Sequence, residues 1–517
     1  MDRLSPFDFV ELCCGGKIKL SRSEEKAVER GRAVLEEAIR SGGEYYAVNT
    51  GVGALLDRRI PPVKMLEFQE NLVLSHACGV GKPLEECIVK GMMLHMILNL
   101  KSGYSGIRPE TLELLVEMFN RNIIPVVPEK GSLGASGDLI PQAHIALAMI
   151  GRGRIFRMPY ATCSTIEEFD RHNLRPVKLQ MGEAIALLNG TSLMTSLMAF
   201  AAVYTKNLIT TAHIAAAMSI AALGGNHEAF DFTPQKWNRR VYRDVSADFI
   251  RFLLSSKKQH FKDEAGIKNK RQKPYSLRCS PRVLGSFLEA LCRYVWPVVS
   301  DEINNFSGNP EIFLESEMVA QGRDNFHGQS LAQAADALAV VLANLSGISE
   351  RRIDKLLNGS AKGLPSFLMR SSGLNTGLMI VQYTAASLVA ENRFLANPAS
   401  IHSLSVAAGQ EDFVSMGALG ARRVWEILKN AETVVAIELL CAAQALDFKR
   451  SVSDDSLVEE AHQIIRELVP HFDKDEEFGR RIENLSGFIH NRGGFLRKIG
   501  LIHWLDRYLG EQCEEKA

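Results

Sequence analysis

From Ser192 to Leu223 the chain reads SLMTSLMAFAAVYTKNLITTAHIAAAMSIAAL, without glycine or proline and with one formal charge, Lys206. Apolar side chains recur at helical spacing throughout, which commits this run to a long helix. The part most like a membrane span, residues 208 to 226, is Ala-rich and carries small polar residues and His213. Those features predict a helix buried inside a protein rather than one facing lipid. LEFQENLVLSHA, TLELLVEMFN, SLAQAADALAVVLANLSGI, TGLMIVQYTAASLVAENRFLA and GARRVWEILKNAETVVAIELLCAAQAL share the helical spacing. Strand signals are confined to IIPVVP and GRIFRM, where proline or glycine brackets β-branched residues. The class is mainly α.

A change of texture near residue 200 predicts a loop-rich N-terminal domain, 1–200, and a helical bundle domain, 201–517. The charge-dense stretch SSKKQHFKDEAGIKNKRQK reads as a solvated loop. Overall, 60 basic residues balance 60 acidic ones, so no electrostatic reason favours nucleic acid or an anionic membrane as partner. The 9 cysteines are scattered without a CxxC pair, the pattern of a reduced, cytoplasmic chain with no disulfide framework and no metal site. The N-terminus, MDRLSPFDFVELCCGG, lacks the basic and long apolar regions of a secretory signal.

Several polar clusters stand immediately before apolar helical runs. GASGD precedes LIPQAHIALAMIG, with Asp138 as a candidate N-cap; LLNGTS precedes LMTSLMAF; NFHGQS precedes LAQAADALAVV; GQEDFVSMG leads into GALGARR. Capping explains any one of them. It does not explain the asparagines, aromatics and Glu411 that accompany the caps. Converging helix N-termini would instead favour a carboxylate and developing negative charge. No HExxH, GxxxxGK[ST] or G-x-S-x-G is present, and GRGRIF lacks the third glycine of a dinucleotide fingerprint.

GSLGASGDLIPQAH resembles the signature of the aromatic amino acid ammonia-lyases and aminomutases. YAVNTGVG, LVLSHACGVGKPL, LLNGTS, QKPYSLRC, NFHGQ, SERRIDKLLNG, GLPSFL and GQEDFVSMG resemble further motifs of that family, in its order, over roughly residues 40 to 425. The resemblance implies a mainly α, long-helix bundle of the fumarase/aspartase-like type. It also implies that Ala135, Ser136 and Gly137 cyclise and dehydrate by themselves to 4-methylidene-imidazole-5-one (MIO), with no external cofactor. A residue without a Cβ at 137 suits the backbone attack this requires. The family's enzymes are homotetramers with shared active sites, so the resemblance implies that Tyr46, Arg278 and Asn189 do not all reach one MIO from a single chain.

The same resemblance implies the roles. Tyr46, rather than Tyr45, is the general base; because a free tyrosine titrates at about 10, nearby positive charge and helix dipoles are expected to lower it. Arg278 binds the substrate carboxylate, with Gln272 beside it. Asn189 and Tyr275 position MIO or substrate, and Phe326 packs against the prosthetic group.

Ser75 and His76 fall where the family reads the substrate ring, and this Ser-His pair is similar to that of histidine lyases. Glu411, in Q-E-D where phenylalanine and tyrosine lyases carry N-Q-D, gives the same reading: a carboxylate and an imidazole suit a histidine ring. The expected reaction is elimination of ammonia from L-histidine to give trans-urocanate, a carbon–nitrogen lyase activity. Phe413, where histidine lyases usually carry His, and Gln329 in NFHGQ depart from that pattern, and R-x-H-P-G-Q has no clear counterpart in RRVYRDVSADF. The alternatives are a tyrosine or phenylalanine ammonia-lyase, an aromatic 2,3-aminomutase, and a catalytically silent scaffold.

Overall fold

The run from Ser192 forms one helix, Ser192–Leu223, and nearly all of it is buried. This is the environment that its small side chains, with Lys206 the single charge, require. The computed structural model describes residues 3–157, 161–224, 230, 241–255, 273–359, 361, 363–371, 373–449 and 456–509. Its other long helices are Gln329–Leu357 and Gly417–Asp447. Among the described residues, Gln329–Leu357 is the one helix long and apolar enough by composition to cross a membrane, with 56% of its most apolar window buried within the protein.

The chain forms two compact units. The first comprises Met1–Phe200, Val298–Asp336 and Pro398–Arg422, and the second Ala201–Pro297, Ala337–Asn397 and Arg423–Ala517. Residues 1–200 fall in the first unit and 201–517 are divided between the two. Two later segments return to the first unit, because helices that begin or end in one unit continue into the other, and local texture cannot reveal that.

The first unit contains three two-stranded antiparallel ribbons: Val80–Pro83 with Pro128–Lys130, Arg154–Arg157 with Ala161–Ser164, and Glu311–Phe313 with Met318–Ala320. GRIFRM supplies a strand as expected. IIPVVP contributes an isolated bridge, Pro125 to Ile155, and Pro128 at the start of a strand, since its prolines withhold ladder donors. A cluster of Val34, Leu35, Val48, Ile312 and Leu314 forms a core against which Tyr45 packs. The second unit holds Val241–Leu254, Ser280–Ala290, Met379–Leu395, Leu457–Leu468 and Phe478–His490. Its centre contains a fully buried ion pair in which Arg352 donates to Glu438 at 2.8 Å while Ser219 and Ser349 hydroxyls donate to the same carboxylate. These donors offset the cost of burying the charge.

Candidate active site

The tripeptide Ala135-Ser136-Gly137 sits in the first unit just before the helix Leu139–Met149. Its backbone is clamped from several sides. Asn189 Nδ2 donates to Ser136 O at 2.9 Å, Asp138 N–H to Gly190 O at 2.7 Å, Ser415 Oγ to Gly134 O at 2.8 Å and Met416 N–H to Leu133 O at 2.8 Å. Gly137 has φ +75° and lies so close to Gly190 that a Cβ would stand 2.2 Å from the Gly190 carbonyl oxygen. Only glycine fits that position.

Asp138 does not cap the helix that follows it. Its buried carboxylate instead accepts from Met194 N–H at 2.9 Å, at the start of Ser192–Leu223, and from Ser132 Oγ at 2.7 Å. One of these donors, the Met194 N–H, is distant in the chain, which a cap rule based on sequence spacing does not anticipate. Burial raises its carboxyl to about 6 despite these bonds.

Glu411 lies in the turn before Gly417–Asp447 and reaches the tripeptide: the Ser136 hydroxyl donates to Glu411 Oε1 at 2.5 Å. The turn is closed by Val406 N–H donating to Glu411 O at 2.9 Å, and Ala407 and Ala408 both take positive φ, 52° and 56°. Each such residue costs on the order of 1 kcal/mol, so the direction of Glu411 is held by surrounding structure. Tyr46 and His76 both feel the Glu411 charge.

Tyr45 is turned into the core, whereas the Tyr46 hydroxyl oxygen accepts from Gly53 N–H at 3.0 Å and its own N–H donates to Gln321 Oε1 at 2.7 Å. Burial, reinforced by the Glu411 carboxylate, raises the Tyr46 phenol above its ordinary value. The expected lowering is therefore not found in this chain: desolvation and a like charge both disfavour phenolate, and they outweigh the Gly53 N–H. His76 ends the helix Met65–His76. Its Nδ1 lies 2.8 Å from Leu72 O, which only accepts, so Nδ1 carries the proton and Nε2 is an acceptor. Burial lowers His76 below its ordinary value, although the Leu72 carbonyl and Glu411 oppose the shift. Exposed Ser75, next to His76, donates to Leu72 O at 3.1 Å.

Half-buried Phe326 also belongs to the first unit. Tyr275 and Arg278 belong to the second unit, on the short helix Tyr275–Arg278, with the guanidinium 4.6 Å from the Tyr275 ring centroid and that tyrosine 70% exposed. Gln272 lies outside the described residues.

Sequence reading missed two buried glutamines that hold these parts in place. Gln69, on the helix that ends in His76, accepts Ala184 N–H at 3.0 Å and donates to Ala47 O at 3.5 Å. It thus joins the backbone beside Tyr46 to the helix Glu183–Leu188, which leads into Asn189. Gln142 donates to Leu187 O at 2.9 Å and accepts Ser192 N–H at 3.3 Å, bracketing Asn189. Their only signal was a polar residue on an apolar helix face. Asn189 Oδ1 and Gln329 Oε1 are buried acceptors without a partner among the described residues. Phe413, 59% exposed, lies parallel to His327, whose Nε2 is 3.2 Å from Phe413 O.

A profile of the aromatic amino acid lyase family matches residues 4–467. A histidine ammonia-lyase of Natranaerobius thermophilus is 40% identical over 481 residues, 92% of this chain and 93% of that one. Among solved structures, histidine ammonia-lyase from Trypanosoma cruzi superposes with a TM-score of 0.87 at 31% identity, covering 98% of this chain and 94% of that one. The phenylalanine aminomutase of Pantoea agglomerans gives a TM-score of 0.89 at 30% identity, covering 96% and 98%.

Proposed function

The chain belongs to the aromatic amino acid lyase family, and from that premise we propose that it eliminates ammonia from L-histidine to give trans-urocanate. The observation that carries this reading is the pairing of His76 and Glu411 beside Ser136: an Nε2 acceptor and a carboxylate offer two acceptors to one ring. A protonated imidazole ring, favoured by the carboxylate, satisfies both with its two N–H groups, while a phenyl ring would leave both desolvated and unpaired, at about 1–3 kcal/mol each. The relatives named histidine ammonia-lyase support the same substrate.

The residues present fit an MIO group. Gly137 has the positive φ and lack of a Cβ that suit ring closure, Asn189 Nδ2 fixes the Ser136 carbonyl, and Asn189 Oδ1 is a buried acceptor without a donor among the described residues. When formed, that ring supplies an electrophilic methylidene for the substrate amine, which is otherwise a poor leaving group. The chain's residues do the rest. Glu411 and His76 hold the ring of the substrate, and Tyr46 takes the proton from its β-carbon. Arg278, stacked on exposed Tyr275, binds its carboxylate.

The assembly is a homotetramer with shared sites in the cytoplasm. Its support is Ile380, Tyr383 and Phe394 on the helix Met379–Leu395, exposed by 56%, 64% and 84%, apolar surface of the kind that subunit contacts cover. A solution mass of one chain overturns the tetramer.

The deciding experiment incubates the protein with L-histidine, L-tyrosine and L-phenylalanine in parallel and follows the ultraviolet absorbance of the unsaturated acids. Urocanate from histidine is expected; turnover of another aromatic amino acid without histidine turnover overturns the substrate. The likeness to the phenylalanine aminomutase of Pantoea agglomerans favours a second reading, an aromatic aminomutase, which a β-amino acid product would reveal.

A further inference from the structure

Apart from the candidate active site, the first unit contains a cavity of about 390 Å³, a size that small-molecule sites commonly have. It lies where the helices Glu86–Leu100 and Trp296–Asn304 both end, with Arg3 and Leu4 in its wall. Asn304 fixes that part of the wall: its Oδ1 accepts Leu4 N–H at 2.7 Å and its Nδ2 donates to Leu4 O at 2.8 Å. We propose that this cavity binds a small planar aromatic carboxylate, the chemical class of the deaminated product, and that the bound acid slows the reaction through Asn99. The identity of the acid rests on the proposed reaction.

The wall supplies a partner for each half of such a ligand. Tyr104 and Phe306 meet edge to face, with ring centroids 5.8 Å apart, and together with Leu98 and Ile303 they offer apolar surface to a ring. Arg3 and Lys101 bring positive charge, and none of the described residues lining the cavity is acidic. Arg3 pairs with Asp301, and Lys101 donates to Glu24 at 2.7 Å, so both cations are steadied by carboxylates that are not part of the wall. Glu24 takes one of the three donors of the Lys101 ammonium, and the others suit a ligand carboxylate. Lys101 also follows directly on Glu86–Leu100, where its charge offsets the negative end of that helix. An amino acid would bring an ammonium for which the wall has no carboxylate. The deaminated acid brings none, so the lining selects product over substrate.

Asn99 connects the cavity to the clamp on the tripeptide. It lines the cavity and also a void of about 10 Å³ whose wall includes Asn189 and Gly190. Its Oδ1 accepts from Ser307 N–H at 2.7 Å and from the Ser307 hydroxyl at 3.2 Å, and Ser307 Oγ accepts Thr191 N–H at 3.4 Å. The two residues before Thr191 hold the tripeptide, Asn189 through Ser136 O and Gly190 through Asp138 N–H. A ligand that turns the Asn99 amide breaks its bonds to Ser307 and loosens this segment. An acid bound here therefore lowers kcat without occupying the place of the substrate.

The test counts trans-urocanate and, separately, trans-cinnamate bound per chain by equilibrium dialysis, for the wild type, Lys101→Met and Leu98→Trp. Steady-state inhibition by trans-urocanate is measured on the same proteins. The wild type should bind two molecules per chain and show mixed inhibition, with kcat falling as KM rises. Lys101→Met should weaken the second site about 10-fold or more. Leu98→Trp, which fills the cavity without removing a charge, should abolish that site and make inhibition purely competitive, with activity in the absence of added acid unchanged. It carries the test if loss of the Glu24 partner keeps Lys101→Met from folding. One molecule per chain in the wild type overturns the proposal, as does an intact second site in Leu98→Trp. Purely competitive inhibition of the wild type with two molecules bound overturns the link through Asn99. A chain that does not turn over histidine overturns the substrate reading instead, and the count with trans-cinnamate still decides the cavity.

Discussion

At the scale of single residues, the site turns on three side chains whose charges oppose one another. Glu411 raises Tyr46 and favours protonation of His76, while burial raises the first and lowers the second. A base whose pKa lies above its ordinary value is in its active form only toward high pH. The rate on L-histidine should therefore climb through the alkaline range, and Tyr46→Phe should lower kcat about 10²–10⁴-fold while intact mass still shows loss of two waters. A pH–rate profile of the wild type that is flat above neutrality would remove Tyr46 from the role of base. In the proposed reaction His76 reads the ring through Nε2. His76→Leu deletes one hydrogen bond of about 1–3 kcal/mol, so KM for L-histidine should rise about 5- to 150-fold, with a smaller change in kcat. The identity of these residues was legible in short motifs. The sign of the Tyr46 shift was not, because it depends on Glu411 and on burial, both brought by segments far away in the chain.

At the scale of elements, the side chains proposed for catalysis depend on polar groups that hold helices rather than substrate. Gln69 ties the turn beside Tyr46 to the helix that delivers Asn189. Gln69→Leu would leave the Ala184 N–H and Ala47 carbonyl without these partners, at a cost of about 1–3 kcal/mol. The expected outcome is a lower thermal midpoint and a reduced kcat with the tripeptide still processed. An unchanged kcat would assign Gln69 to folding alone. Helix existence along the chain followed from apolar spacing, as Ser192–Leu223 demonstrates. Asp138 shows where spacing fails: a cap assigned to the adjacent helix serves a helix more than fifty residues further on, because the buried carboxylate takes the donor that folding brings to it.

At the scale of the whole molecule, each unit contains a buried, neutral histidine. His95 in the first unit donates through Nε2 to Glu302 O and faces Ser192 Oγ through Nδ1; His213 in the second donates through Nδ1 to Ile209 O and faces Ser246 Oγ. Burial lowers both to about 4. An unfolded histidine titrates near 6.5, so between those values the unfolded chain binds protons that the folded chain refuses. The stabilisation is complete above about pH 6.5 and is lost as pH falls toward 4. Thermal midpoints measured across this range should fall with pH, and His95→Gln and His213→Gln should flatten that fall. Midpoints independent of pH would show that neither ring is buried neutral.

The sequence by itself determined that the chain is helical, because apolar periodicity is a local property, and it marked Ala135-Ser136-Gly137 through the resemblance of GSLGASGDLIPQAH to a family signature. It also named the partners of that tripeptide from motifs. Only the tertiary structure decided which of them meet: Glu411 against the Ser136 hydroxyl, Tyr46 turned from the core that takes Tyr45, and later segments folded back into the first unit. Those outcomes depend on distances between residues hundreds of positions apart, and on the burial that sets their charges. Neither quantity is written in any local stretch of the chain.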